Sequence, residues 1–221
     1  MEALKEIFLR LAGLSHVELM LGLLFTGTLI LVLEDWRLNL WALMAQYVLV
    51  GLLLVGVIPL SVALIKIVVG GLVCVILFLT AQHVHWGRRR AAQDTSPVRT
   101  LSSRQIMSAS VWYRLAVALL AAAIAYALGT RHPFVEQTEG ISQASYWLLV
   151  VGLLTAVMSR RAFRAGLGLF TFQSGFGILL ATFEKGLSVA ALVGMVNFLT
   201  ALAIAYLTAP WVVFSTEDEE A

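Results

Sequence analysis

Residues 37–82 read RLNLWALMAQYVLVGLLLVGVIPLSVALIKIVVGGLVCVILFLTAQ, and after Arg37 the only charged side chain in this stretch is Lys66. Ile58-Pro59-Leu60 divides it into two apolar segments, 39–59 and 60–82. Each is close to the roughly 20 residues that an α-helix needs to cross about 30 Å of hydrocarbon. Proline suits a tight turn or the first residues of a new helix, so the stretch predicts a helical hairpin through a bilayer. Outward from the hairpin, further spans are expected at 15–34, 111–129, 143–158, 164–183 and 187–209. The fold class is therefore expected to be all-α, a polytopic membrane protein of about seven helices with its termini on opposite sides.

Composition agrees. The 221 residues are 60% hydrophobic and 13% charged, with a mean hydropathy of +0.91, whereas soluble domains are about 45–50% apolar and about 25% charged. Cys74 is the single cysteine and lies in an apolar run, which excludes a disulfide framework and a cysteine-rich metal site. A net charge of +2 gives no reason to expect nucleic acid or another polyanion as partner. The bilayer itself is the first partner implied.

Residues 1–14 place Leu4, Ile7, Phe8 and Leu11 at helical spacing opposite Glu2, Lys5, Glu6 and Arg10, the pattern of a short interfacial helix. A cleaved signal peptide is not expected, because acidic residues stand where a basic region should be. Connections after the first, third and fifth spans carry Arg37, Arg88, Arg89, Arg90, Arg99, Arg104, Arg114, Arg160, Arg161 and Arg164, against Lys5, Arg10, Arg131 and Lys185 on the other side. This basic excess predicts an outside N-terminus and a cytoplasmic C-terminus. Residues 86–110 read as a cytoplasmic linker rich in Arg, Ser and Gln, and the tail 210–221, with Glu217, Asp218, Glu219 and Glu220, as a solvated end.

At an offset of 127, residues 37–72 align with 164–199 without a gap, and 11 of the 36 positions are identical. The weight rests on Arg37/Arg164, Gln46/Gln173 and the triplet Ser61-Val62-Ala63 against Ser188-Val189-Ala190. The organisation expected is a first three-helix repeat over 1–85, a loop and linking helix over 86–142, a second three-helix repeat over 143–209 and the tail. One extra span between the copies makes both start from the same side, a parallel repeat about an axis along the membrane normal.

Charges at mid-depth cost about 2.5–3.5 kcal/mol on insertion scales, so each one is a functional candidate. Lys66 and Glu18 fall roughly 5–9 Å below the same surface at about 1.5 Å per residue. They can pair, or Lys66 can snorkel to the interface. Gln46, Gln173 and Asn197 are neutral amides near mid-depth, suited to hydrogen bonds between helices or to holding water along a path. Gly166, Gly168, Gly175 and Gly177, with Ser174, allow close helix approach or a local break of the helix. His16, His83, His85 and His132 all fall at span ends, where haem ligation has little support, and the chain shows no phosphate loop or metal-spaced set. No cofactor, no metal and no catalytic residue is expected.

Residues 160–180, RRAFRAGLGLFTFQSGFGILL, place an Arg-Arg-x-x-Arg turn before a Gly-Leu-rich helix with a polar residue, Ser and Gly in its middle. This resembles the three-helix K subunit of respiratory complex I and its antiporter C-subunit relatives, and looks closer still to the hydrogenase-4 membrane component E family. The resemblance covers most of the chain, with Gln46 and Lys66 at recurrent polar positions of the first half. The family's Glu-Asn-Gly is here Gln173-Ser174-Gly175, so the carboxylate is missing. The relay glutamate of the K subunit falls near Phe170, which cannot titrate.

The resemblance implies a non-catalytic subunit in a prokaryotic-type cytoplasmic membrane, beside large antiporter-like subunits and supporting proton or sodium translocation. Glu18, Lys66, Gln46, Gln173, Ser174 and Asn197 are then candidates for the ion path, and Arg160, Arg161 and Arg164 for cytoplasmic docking. Two other expectations stand beside it: an independent small-solute transporter with a midplane site at Gln46, Gln173, Ser174 and Asn197, and a scaffold that only anchors an assembly.

Overall fold

The computed structural model describes residues 16–33, 35–55, 57–94, 103–132, 139–159, 161–184 and 186–208. The interfacial helix expected at 1–14, the tail 210–221 and Arg160 lie outside the described residues. Seven helices fill the described part: α1 His16–Val32, α2 Trp36–Leu54, α3 Leu60–Asp94, α4 Ser103–Arg131, α5 Glu139–Met158, α6 Ala162–Phe183 and α7 Leu187–Thr208. Six of them, α2 to α7, are long and apolar enough to cross a membrane. The chain is a polytopic helical membrane protein.

Two expectations shift. The first span, expected over 15–34, is a helix of 17 residues ending at Val32, a rise of about 25 Å. The stretch 86–110, expected as a linker, is helical through Asp94 and again from Ser103. Arg, Ala and Gln are good helix formers, so the polar run continues α3 once its apolar part has ended.

The turns follow from local chemistry. Pro59 precedes α3 and its carbonyl accepts from Val62 N–H at 2.9 Å and Ala63 N–H at 3.3 Å. In the second copy Ala190 N–H donates to Gly186 O at 3.3 Å, the same bond 127 residues on. α3 begins at Leu60 and α7 at Leu187, again 127 apart.

The two copies pack equivalent helix on equivalent helix, α1 against α5, α2 against α6 and α3 against α7. Leu43 and Phe170, Cys74 and Ala201, and Leu77 and Ile204 are equivalent pairs, and all six share one buried cluster. The result is two three-helix repeats packed on each other through equivalent helices. The linking helix α4 lies outside them against α5 and α1.

A second cluster joins α1, α4 and α5 to the ends of α2 and α6, around Leu23, Leu53, Trp147, Leu148 and Ile178. Trp147 donates its indole N–H to Leu23 O at 3.2 Å, tying α5 to α1. The closest pair of helices is α5 and α6. A Cβ on Gly168 would collide with the Ala156 backbone, and one on Gly175 would stand 2.8 Å from Ser145 O. Ser145 donates across this contact to Gly175 O at 2.9 Å. α6 is one continuous helix, so of the two uses open to its glycines it shows close approach, as small residues allow between membrane helices.

Candidate functional site

Lys66 lies six residues past the start of α3, about 9 Å into the helix. Its ammonium points inward. Nζ stands 2.7 Å from where a Gly177 Cβ would be, and Gly177 is six residues before the end of α6. The charge therefore sits at the depth of its own Cα and has not climbed to the surface. Lys66 makes no hydrogen bond or ion pair with a described residue.

Between α3, α6 and α7 the Lys66 side chain lines a cavity of about 40 Å³, together with Ile58, Val62, Gly177, Glu184, Val193 and Asn197. Glu184, just past α6, is exposed at one end, and Asn197, in the middle of α7, is buried at the other. Glu18 is exposed on α1 and does not line this space. The structure does not bring Glu18 and Lys66 together.

Below the cavity the polar residues continue. Gln46 and Tyr47 occupy the middle of α2, and Gln173 and Ser174 the equivalent places on α6. Gln46 is fully buried with neither its oxygen nor its nitrogen hydrogen-bonded. Gln173 Oε1 and Asn197 Oδ1 are also buried without partners among the described residues, and the Tyr47 hydroxyl is buried against Ser174. Gln173 Nε2 donates to Thr200 Oγ1 at 3.3 Å, which links α6 to α7. Ser174 donates to its own helix, at Phe170 O, 2.9 Å. Buried polar atoms in folded proteins are nearly all satisfied, so these unsatisfied amide atoms make the region a candidate site.

The repeat explains how the seam is made. Tyr47 lies on Gly70, whose Cβ position its ring fills, and the equivalent residues in the second copy are Ser174 and Asn197. A large side chain over a glycine in one copy becomes two small polar ones in the other. Lys66 and Gly177 correspond likewise to Val193 and Val50. The copies diverge where a charge and the room for it arise together.

At the other face, Arg164 donates to Leu31 O at 2.7 Å and Arg114 to Val32 O at 3.4 Å. Both arginines therefore serve the C-terminal end of α1, where unpaired carbonyls favour cations. Arg161 is exposed, whereas Arg164, read as a docking residue beside it, is half-buried.

The sequence pointed to Lys66, Gln46, Gln173, Ser174 and Asn197 but passed over Glu184, Tyr47 and Thr200, and it read Gly177 only as allowing close helix approach or a helix break. The aligned copies carried the missing signal, since Gly177 opposite Lys66 replaces a valine pair. In comparison with known proteins, the chain matches no family model, no curated protein and no solved structure.

Proposed function

We propose that this chain is a non-catalytic membrane subunit of a complex-I-like assembly, related in kind to hydrogenase-4 and antiporter complexes. It supports proton or sodium translocation beside large antiporter-like subunits. The observation that carries this reading is the polar seam: three amides and a phenol with buried polar atoms, and a half-buried ammonium against Gly177, in a chain otherwise built of apolar helices. Such groups are expensive within a membrane and recur on ion pathways. The seam has no carboxylate at mid-depth, which suits a subunit that conducts or hydrates a path shared with neighbours. The resemblance of residues 160–180 to K-type helices points the same way.

In this reading the chain sits in a prokaryotic-type cytoplasmic membrane with its N-terminus outside. Glu184 and the cavity then face outward, and Arg161 meets cytoplasmic partners. Replacing Lys66 by Met should leave assembly intact, as judged by mass spectrometry of the complex copurified in mild detergent, and lower ion pumping in native vesicles at least severalfold. Normal assembly with unchanged pumping rejects the path role.

A second reading, an independent small-solute transporter, draws on the paired amides Gln46 and Gln173 at equivalent places on helices that pack together. Uptake by the purified chain in liposomes, without partners, would favour it.

A further inference from the structure

We propose that the space between α3, α6 and α7 is a hydrated blind vestibule, filled from the face at which α3 begins and α6 ends and closed toward the opposite face. The inference deepens the ion-path reading and rests on it only in the use made of the water.

Three observations carry it. The cavity of about 40 Å³ exceeds the roughly 10–15 Å³ that one water needs, so about two or three waters fit. Its lining supplies what such waters bind: the Lys66 ammonium as donor, and the unpartnered Oδ1 of Asn197, a residue only 5% exposed, as acceptor. A charged amine and an orphaned carbonyl oxygen in the wall of one cavity, with no direct bond between them, form an arrangement that bridging water satisfies. Exposed Glu184 stands at the mouth and Asn197, about 15 Å down α7 from Leu187, at the base.

Beyond Asn197 the way is shut. Leu43, Leu77, Leu167, Phe170, Ala201 and Ile204 belong to one apolar cluster, all of them buried. None of these residues lines the cavity. Water that enters therefore reaches Asn197 and stops there. An ion arriving there must leave sideways, through a neighbour, or wait for the cluster to move.

Silver ion is a suitable probe, being small, hydrated and thiol-seeking. The assembled complex is prepared in both vesicle orientations, with reaction scored as loss of maleimide labelling after denaturation. Native Cys74, buried in the apolar cluster, should stay unreacted in both. In a Cys74→Ala background, Glu184→Cys and Asp35→Cys report the two faces. Val193→Cys, in the cavity wall, should react in the Glu184→Cys orientation alone, while lipid-facing Leu192→Cys and buried Ala201→Cys should not react. Adding Lys66→Met should speed the Val193→Cys reaction severalfold by removing the ammonium.

Reaction of Val193→Cys in neither orientation, in both, or in the Asp35→Cys orientation overturns the vestibule. So does an unchanged rate on removal of Lys66. A dry cavity with defective Lys66→Met pumping rejects the vestibule and keeps the path role. A reactive cavity with normal pumping does the reverse.

Discussion

Replacing Gln46 by methionine keeps the length of the side chain and removes an amide whose oxygen and nitrogen both lack partners in a fully buried position. An unsatisfied buried polar group costs about 1–3 kcal/mol, and an apolar substitute of similar shape avoids that cost. Gln46→Met should therefore raise thermal stability in detergent by a few degrees while lowering ion pumping. Lower stability together with intact pumping would make Gln46 a packing residue. Gly177 poses the opposite case. A Cβ there stands 3.1 Å from Lys66 Cε and closer still to Nζ, so Gly177→Val should displace the ammonium and reproduce the pumping loss of Lys66→Met. In the Lys66→Met background the added valine should cost little further activity, which a double-mutant cycle on pumping rate would measure.

Among the helices, α5 and α6 depend on glycine backbones in contact. Gly168→Leu should abolish the folded protein, seen as loss of the monodisperse peak in size exclusion, because the colliding group is the Ala156 backbone and cannot swing aside. Gly71 is the control: nothing lies within 4 Å of its Cβ position, so Gly71→Ala should stabilise α3 by about 0.5–1 kcal/mol through helix propensity alone. The same helices show how far the sequence could be read. Apolar length placed the hairpin with its Pro59 turn, and α7 as well. The length of α3 escaped, because a polar run beyond the bilayer looks like a loop when judged by hydropathy, although its residues favour helix. The partner of Lys66 escaped too. Helices that are apolar all round carry no stripe to say which faces meet, so a contact between residues 66 and 177 shows only once the bundle is assembled.

For the molecule as a whole, equivalent helices pack on one another, so each half offers the other a nearly matching surface. Two chains covering 1–98 and 99–221, expressed together, should copurify as one complex with the thermal profile of the intact protein, and each alone should aggregate. Copurification of either half with itself in preference to the other would mean that the divergence at Lys66, Glu184 and Asn197 does not set the pairing. The end of α1 reaches further. Leu31 and Val32 wait for hydrogen bonds from Arg164 and Arg114, side chains that leave the ribosome 133 and 82 residues later. α1 is made well before the arginines that complete it, and until α6 arrives its carbonyl end depends in part on water, lipid headgroups or the insertion machinery. Nascent chains stalled before Arg164 should keep α1 exposed to crosslinking or protease. Release should come only with synthesis of α6, which makes the order of translation part of how this bundle closes.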